Sequence, residues 1–150
     1  MSTEYIRDSG RALVDDAALD ILADRAQRAA LKRARYCLHG DHGEGVQEMV
    51  IALCRESEIP VHRHGNRDES FHVIRGAMRF EIFDDAGGLV EAIELGTVGS
   101  DHGFFLRING ALWHRVVALG DLVIFHETTS GPFSPDNTEI HPVLHPNGRQ

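Results

Sequence analysis

Short apolar segments separated by turns are the feature that most limits what this chain can fold into. Between about residues 33 and 130, roughly seven to nine such segments follow one another, with a turn about every eight to twelve residues. One of them, "AMRFEIF" (77–83), alternates apolar with charged side chains, and the "DDAGG" that follows it (84–88) is a hairpin turn signal. This spacing predicts an antiparallel β-sandwich or barrel.

A single helix is predicted before these strands, over about residues 15–28. Asp15 or Asp16 can cap its N-terminus. Its apolar residues recur with helical spacing at Leu19, Leu22, Ala23 and Ala26. After the strands, residues 131–150 are rich in proline and asparagine and predict an irregular tail. The whole chain, 1–150, is expected to form one domain, because its length suits a single core.

Charge and composition exclude several classes of protein. The net charge is −8 with neutral histidines, which argues against nucleic acid as a partner because phosphate binding needs a basic surface. No apolar run of about 18 residues is present to span a membrane, and the first residues lack the apolar core of a secretory signal. We therefore expect a cytoplasmic protein. Cys37 and Cys54 lie in apolar runs without a CxxC pair, so both are predicted to be buried free thiols.

The stretch "HRHGNRDE", residues 62–69, carries the strongest chemical signal. His62 and His64 are two residues apart, so on a strand both project to the same face. Two imidazoles inside a barrel need polar partners, and a divalent metal ion is a natural one. Glu69 could add an oxygen ligand from the next strand, and His114, which opens the segment "HRVVAL", could add a third imidazole. Such a set suits divalent Fe, Mn, Zn, Ni or Co. The alternative is a solvated, histidine-rich loop.

The residues around these side chains resemble the cupin motifs. "HRHGNRDESFHVIRG" (62–76) matches the first motif, HxHx4Ex6G. "INGALWHRVV" (108–117) resembles the second, PxGxxH, with Asn109 and Ala111 where proline and glycine are usual. Over roughly residues 13–135, the helix and the segments "RARYCLH", "VQEMVIAL", "FEIFDDAG" and "HETTSGPF" follow in an order similar to that of the WbuC family of cupin-fold metalloproteins.

That resemblance implies a fold, a site and a context. The fold is a mainly β, small double-stranded β-helix (cupin or jelly-roll) barrel over about residues 33–130, with the one N-terminal helix outside it. The metal ligands are His62, His64, Glu69 and His114. Members of the family are often encoded among surface-polysaccharide (O-antigen, lipopolysaccharide) genes, which gives a context but not a substrate; our hypothesis within that context is a small, sugar-like ligand. Cupins of this size commonly pair, so a homodimer is expected. The resemblance names neither the metal nor the reaction.

Five further side chains are candidates for lining a pocket. Arg33, Arg35 and His39 lie on one alternating face of "KRARYCLH" and could contact an anionic substrate at the barrel mouth, or form a plain polar face. Gln47 could donate to a ligand or face water. Taken singly, these four are better explained by the plain structural role. Glu127, in "HETTSGPF", is either an acid near the metal or a strand-end acid.

Two residues close to the motifs are expected to point away from the site. His72 is three residues after Glu69, on the opposite face of the same strand, and is predicted to lie on the outer face or at an interface. Trp113 precedes His114 and is predicted to pack on the outer surface of the sheet, where it could contact a partner in a dimer.

Three functions are compatible with this site. The first is a metal-dependent enzyme on a small polar molecule, with an isomerase, an epimerase and a dioxygenase-type reaction all open. The second is a non-catalytic module that binds a metal and a small ligand, for example as a sensor. The third is a barrel that the metal only stabilises, in which case removal of the metal should unfold it. We rank the enzyme first.

Overall fold

A computed structural model of the chain describes residues 4–6, 10–65 and 67–148. The helix and strands of these residues, in chain order, are β1 (Glu4–Ile6), α1 (Asp16–Arg28), β2 (Arg33–Cys37), β3 (Val46–Cys54), β4 (His62–Arg63), β5 (Glu69–Arg75), β6 (Met78–Phe83), β7 (Leu89–Leu95), β8 (Phe105–Ile108), β9 (Trp113–Ala118), β10 (Leu122–Ser130) and β11 (Glu139–Ile140). One turn of 3-10 helix, Pro135–Asn137, lies between β10 and β11.

The strands form two sheets. The six-stranded sheet has the order β1-β2-β3-β10-β5-β8, and the five-stranded sheet has the order β11-β4-β9-β6-β7. Strands β1 and β2 pair in parallel, whereas the other neighbours pair antiparallel. Strands from distant parts of the chain therefore lie side by side, with β10 between β3 and β5 and β9 between β4 and β6. The prediction of a mainly β barrel with one N-terminal helix is confirmed.

Alternation along the strands produces an apolar core between the two sheets. On β6, Met78 and Phe80 are fully buried, whereas Arg79 between them is partly exposed. Phe80 meets Phe71 of the other sheet at a ring-centroid distance of 5.1 Å. It also stacks on His114, with 5.3 Å between centroids and 14° between ring planes. The core therefore supports the predicted metal-binding histidine directly.

Helix α1 covers the outer face of the six-stranded sheet. Asp15 caps it, because its Oδ1 accepts a hydrogen bond from the amide of Ala18 at 2.9 Å. Its buried stripe, Leu19, Leu22 and Ala26, packs against Ala34, Val50, Ala52, Cys54 and Ile124. Arg75 of β5 donates to Asp16 and Asp20 of the helix. No helix in the described part of the chain has the length and apolar character needed to cross a membrane.

The C-terminal tail is more ordered than its composition predicts. Within the region expected to be irregular, β11 pairs with β4 and extends the five-stranded sheet. His141, directly after β11, is fully buried, and its Nε2 lies 2.8 Å from the carbonyl oxygen of Asp84. The amide of His141 donates to the carbonyl of Val61 at 2.8 Å. The tail thus packs against the strand that carries the first motif.

Trp113 is covered by its own chain. The side chain points away from the space between the sheets, as predicted, but only 6% of Trp113 is exposed. Its Nε1 donates to Asp85 at 2.8 Å, the guanidinium of Arg63 lies 4.2 Å from its ring centroid, and the His141 ring packs on it at 4.6 Å. The tail and β4 therefore leave no free face for a dimer contact, and that interpretation of Trp113 was wrong.

Candidate metal centre

Three histidines converge between the two sheets. His62 lies on β4 and is directly opposite His114 on β9, and His64 follows β4 by one residue. The candidate ligand atoms of the three rings all lie within 4.8 Å of one another. The ring centroids are 4.6 Å apart for His62 and His114, 4.9 Å for His62 and His64, and 5.8 Å for His64 and His114. The two-residue spacing thus directs both motif histidines inward, toward a partner from another strand.

Backbone carbonyl groups orient two of these rings. Nδ1 of His62 lies 2.8 Å from the carbonyl oxygen of Pro60, and Nδ1 of His114 lies 2.7 Å from that of Leu112. Because a carbonyl oxygen only accepts, each Nδ1 donates, and this contact directs each Nε2 into the cluster, where a metal ion could bind it. Burial lowers the pKa of His62 to about 4, and the neighbouring His114 contributes to this shift, so His62 is a neutral imidazole near pH 7.

A close contact between two loops positions His64. Its Nδ1 lies 3.1 Å from the hydroxyl oxygen of Thr138, which orients the ring. The backbone amide of His64 donates to the carbonyl of Gly110 at 2.7 Å, and the amide of Arg67 donates to the carbonyl of His64 at 3.1 Å. A side chain at position 110 would collide with this loop, since a Cβ there would lie 1.5 Å from the carbonyl oxygen of Arg67. Only a glycine allows this approach.

The loop before β9 departs from the usual second cupin motif but forms a defined turn. The side-chain oxygen of Asn109 accepts from the amide of Ala111 at 2.9 Å, and its backbone carbonyl accepts from the amide of Leu112 at 3.2 Å. Asn109 therefore closes the turn with its side chain, at a position where the motif usually has proline. The glycine that the packing requires is Gly110, one position before the usual place.

Glu69 faces the histidines from the opposite sheet. It opens β5 and is almost fully buried, with Oε1 3.3 Å from Nε2 of His64 and Oε2 3.0 Å from Nε2 of His114. Within the described residues, no donor is aligned for a hydrogen bond to the buried Oε2. Burial alone would raise the pKa of Glu69, but the adjacent His114 and His64 outweigh it and lower the pKa, so the carboxyl is ionised.

The four side chains fit a divalent metal ion. His62 is neutral, the His64 and His114 rings lie beside it, and an ionised carboxylate has a buried oxygen that lacks an aligned donor among the described residues. Nitrogen and oxygen donors of this kind suit first-row divalent metals. The structure therefore brings together all four side chains that the sequence predicted as ligands: His62, His64, Glu69 and His114.

A cavity of about 480 Å³ opens onto the three histidines. This volume suits a small molecule. One part of its wall is apolar and consists of Ile51, Leu53, Phe71, Val116 and Phe125. Arg33 and Arg35 line the same cavity from β2, although a plain polar face was the favoured interpretation of each. Ala34 between them also borders the cavity and packs under helix α1. The guanidinium groups thus lie in the wall of the site.

A smaller cavity of about 100 Å³ adjoins the site, and His39 and Gln47 line it. The amide of Glu48 donates to Nδ1 of His39 at 3.0 Å, and within the described residues the buried Nε2 of His39 has no hydrogen-bond partner. Gln47 is buried and donates to the carbonyls of Glu44 at 2.8 Å and His42 at 3.3 Å. It therefore holds the loop before β3, and the interpretation that Gln47 faces water was wrong.

Glu127 lies on the inner face of β10 and lines both cavities. In the register of the sheet it is opposite Phe71 on β5, so it is a diagonal neighbour of Glu69. Burial raises the pKa of the Glu127 carboxyl well above its usual range, and the charge of Glu69 adds to the shift, against the opposing effect of Arg35. The structure thus places Glu127 beside the four-residue cluster rather than at an exposed strand end.

His72 lies away from the cluster. It points to the other side of β5, where its ring packs against Phe104 and Phe105 at centroid distances of 5.9 and 6.0 Å. The strand alternation predicted this placement correctly.

Two polar residues near the site, Thr138 and Glu4, were not predicted from the sequence. Thr138 orients His64 from the tail, and Glu4 lines the large cavity from β1. Neither residue belongs to a recognisable sequence motif. Glu4 reaches the site because β1 pairs with β2, and Thr138 does so because the strand directly after it, β11, pairs with β4.

Comparison with solved structures shows that the fold is that of the cupins. Protein SO0799 from Shewanella oneidensis is 12% identical, with a TM-score of 0.55, over 65% of this chain and 63% of its own. Oxalate decarboxylase from Bacillus subtilis is 22% identical, with a TM-score of 0.50, over 65% of this chain and 24% of its own. KdgF from Halomonas sp. is 19% identical, with a TM-score of 0.51, over 69% of this chain and 82% of its own.

At these identities the likeness extends to the fold and not to the activity. The chain also spans less than two thirds of SO0799 and about a quarter of the decarboxylase. A search of curated proteins finds no match. A protein-family model described as "Domain of unknown function (DUF6016)" matches residues 14–95, which is more than half of the chain. The chain therefore belongs to this family, and the matched residues include His62, His64 and Glu69.

Proposed function

We propose that this member of the DUF6016 family is a cupin metalloprotein that holds one divalent ion through His62, His64, His114 and Glu69. We further propose that it acts on a small polar, sugar-like molecule in the adjoining cavity. One observation carries the proposal. Nδ1 atoms bound to carbonyl groups turn the imidazoles toward a buried, ionised carboxylate, and this cluster lies at the wall of a cavity of about 480 Å³.

The residues of the proposed site have different roles. A bound divalent ion would polarise a carbonyl or hydroxyl group of the ligand. The apolar wall, which includes Phe71 and Phe125, excludes water from one side of the cavity, and Arg33 and Arg35 supply positive charge on another. Glu127 presents its carboxyl between the two cavities, within reach of a ligand in either of them.

The context of the reaction comes from sequence resemblance. Similarity to the WbuC family supports a role in surface-polysaccharide (O-antigen) biosynthesis, and hence a sugar-derived ligand. An isomerase, an epimerase and a dioxygenase-type reaction are all compatible with a metal that has open positions. If candidate sugars bind to the metal-loaded protein and are recovered unchanged, the protein is a binding module or sensor rather than an enzyme.

The first test is the metal content of the protein. After purification without a metal-affinity column, elemental analysis should find close to one divalent ion per wild-type chain. His114→Ala should lose it, because it removes a buried imidazole whose Nε2 faces the cluster. His72→Ala is the matched control, since His72 lies on the other side of β5, and it should keep the metal.

Two results would contradict the proposed site. One is a wild-type protein that neither carries a divalent ion nor takes one up on reconstitution with Fe, Mn, Co, Ni or Zn. The other is equal loss of metal in His114→Ala and His72→Ala, since the effect would then not depend on the position of the histidine.

We also propose that the protein is a homodimer, paired through strand β8. This strand forms one edge of the six-stranded sheet, and on its outer side Phe105 is 55% exposed, next to Phe104 at 43%. Exposed aromatic side chains on an open strand edge favour pairing with a second chain. Sedimentation should give a dimer for the wild type and a monomer for Phe105→Asp.

A control for the dimer comes from the other sheet. Val90, on the edge strand β7, is 64% exposed, and Val90→Asp should leave the mass of the dimer unchanged. A monomeric wild type would reject the dimer. A dimer that survives Phe105→Asp but is lost in Val90→Asp would place the interface at the opposite edge.

A further inference from the structure

A carboxylate of the chain itself lies at the cavity wall. Glu4, in β1, is opposite Arg35 of β2 in the parallel pairing of these strands. Oε2 of Glu4 accepts from Nε of Arg35 at 2.7 Å and from its Nη2, and Oε1 lies 2.8 Å from Nε2 of His42. Burial alone would raise the pKa of Glu4, but Arg35 outweighs it and, with His42, lowers the pKa, so the carboxyl is ionised.

The arrangement around Glu4 has the geometry of a carboxylate-binding site. Arg35 directs two N–H groups at one oxygen, and His42 directs a third at the other. A planar guanidinium matches a carboxylate well, and charge-assisted hydrogen bonds of this kind are among the strongest in proteins. The ring of Phe133 packs against His42 at 5.2 Å between centroids and holds it in place.

A second cation lies in the same wall. The guanidinium of Arg33 is partly buried, and burial together with the charge of Arg35 lowers its pKa. Its Nη1 donates to the carbonyl of Glu58 at 3.3 Å, which is a long contact with a neutral acceptor. Two neighbouring guanidinium groups on one side of a largely apolar cavity favour an anionic ligand.

The strand that carries Glu4 is short and lies at an edge. Among the described residues, β1 has three residues and pairs with β2, as the outermost strand of the six-stranded sheet. Short strands at the edge of a sheet open at a low free-energy cost. A ligand that offers the same carboxylate contacts can replace Glu4 without disturbing the core.

We propose that Arg35 and His42 recognise a carboxylate group of the ligand, and that Glu4 occupies this position until the ligand displaces it. The inference rests on the proposed function, because Glu4 and Arg35 line the large cavity, while His42 lines the smaller cavity beside it. It narrows the ligand to a carboxylated small molecule. Glu4 then acts as an internal competitor. The apparent affinity for the ligand is reduced by the fraction of molecules in which Glu4 blocks the site.

The test is a calorimetric titration of the metal-loaded protein, residues 1–150, with D-glucuronate. Glu4→Gln keeps the size of the side chain and removes its charge. We expect D-glucuronate to bind this variant about tenfold more tightly than the wild type. This factor corresponds to a wild-type site that Glu4 leaves free in about a tenth of the molecules. D-Glucose, which has a hydroxymethyl group in place of the carboxylate, should bind both proteins equally. Arg35→Gln should lose the preference for D-glucuronate over D-glucose.

Glu91→Gln is the matched control, because Glu91 is an exposed residue of β7 in the other sheet, and it should behave like the wild type. Equal affinity of the wild type and Glu4→Gln for D-glucuronate, or no binding by either, overturns the inference. Binding of inorganic phosphate in place of D-glucuronate overturns the assignment to a carboxylate. Elemental analysis of the same samples separates the two proposals, since a metal-free wild type contradicts the proposed function, whereas a loaded protein that is indifferent to Glu4→Gln contradicts only this inference.

Discussion

Replacing Gly110 with alanine is expected to destabilise the protein by about 3 kcal/mol and to weaken metal binding. The new Cβ would lie 1.5 Å from the carbonyl oxygen of Arg67 and 2.8 Å from that of His64, so the two loops must separate. Because the amide of His64 donates to the carbonyl of Gly110 at 2.7 Å, this separation displaces a histidine of the cluster. Thermal unfolding should show a Tm about 6–12 °C lower, the range expected for this loss in a chain of this size.

Gly65→Ala is the control for this substitution. Gly65 lies in the same loop, directly after His64, but a Cβ built there lies more than 4 Å from every described residue that is not adjacent to it in the chain. We expect Gly65→Ala to keep the Tm and the metal content of the wild type. If both alanine variants behave alike, the close approach at Gly110 does not determine the geometry of the site.

The fold was predictable because its signals are local. Turn residues recur between short apolar segments, and the alternation of Met78, Arg79 and Phe80 assigns their two faces before any partner strand is known. The same alternation placed Arg33 and Arg35 on one face of β2, and His72 on the face of β5 that points away from the cluster. Where the alternation of side chains along a strand decides which face a residue occupies, that face could be predicted from the sequence.

The remaining features depend on which distant segment covers a given face. Trp113 is buried because the tail returns to β4 and places His141 on its ring, and nothing in the proline-rich composition of the tail predicts this pairing. Gln47 turns to the carbonyls of its own loop, including Glu44, rather than to water. Strand spacing assigns a face to each of these residues, but hydrogen-bond partners follow only from the tertiary structure.

In the candidate site, too, some features follow from local spacing and others from the pairing of distant segments. The spacing of the first motif brought His62, His64 and Glu69 to one place, and a later strand supplied His114. The sequence did not predict the role of Glu4, because its position depends on the parallel pairing of a three-residue strand with β2. Local spacing thus defined the cluster, while long-range pairing defined the group that competes for its cavity.

Removal of the metal ion is expected to lower the Tm without unfolding the domain. A ligand that binds only the folded state stabilises it by about 4 kcal/mol when its free concentration is about a thousand times Kd. For a chain of this size that corresponds to a Tm about 8–16 °C higher with the ion than without it. The metal-free domain should remain folded, because the contact of Phe71 with Phe80 and the packing of helix α1 do not depend on the site, and Glu69 keeps two imidazoles beside it.

Circular dichroism of the loaded protein, before and after chelation, measures both effects. The far-ultraviolet spectrum should persist at 25 °C while the Tm falls, and His114→Ala should show no response of its Tm to the chelator. Complete loss of the spectrum would instead mean that the ion is a structural support, since the barrel would then not fold without it. A Tm shift of equal size in His114→Ala would mean that the ion binds away from the histidines. His114 is only 1% exposed and is one of the proposed ligands, so its loss should weaken metal binding at the proposed site.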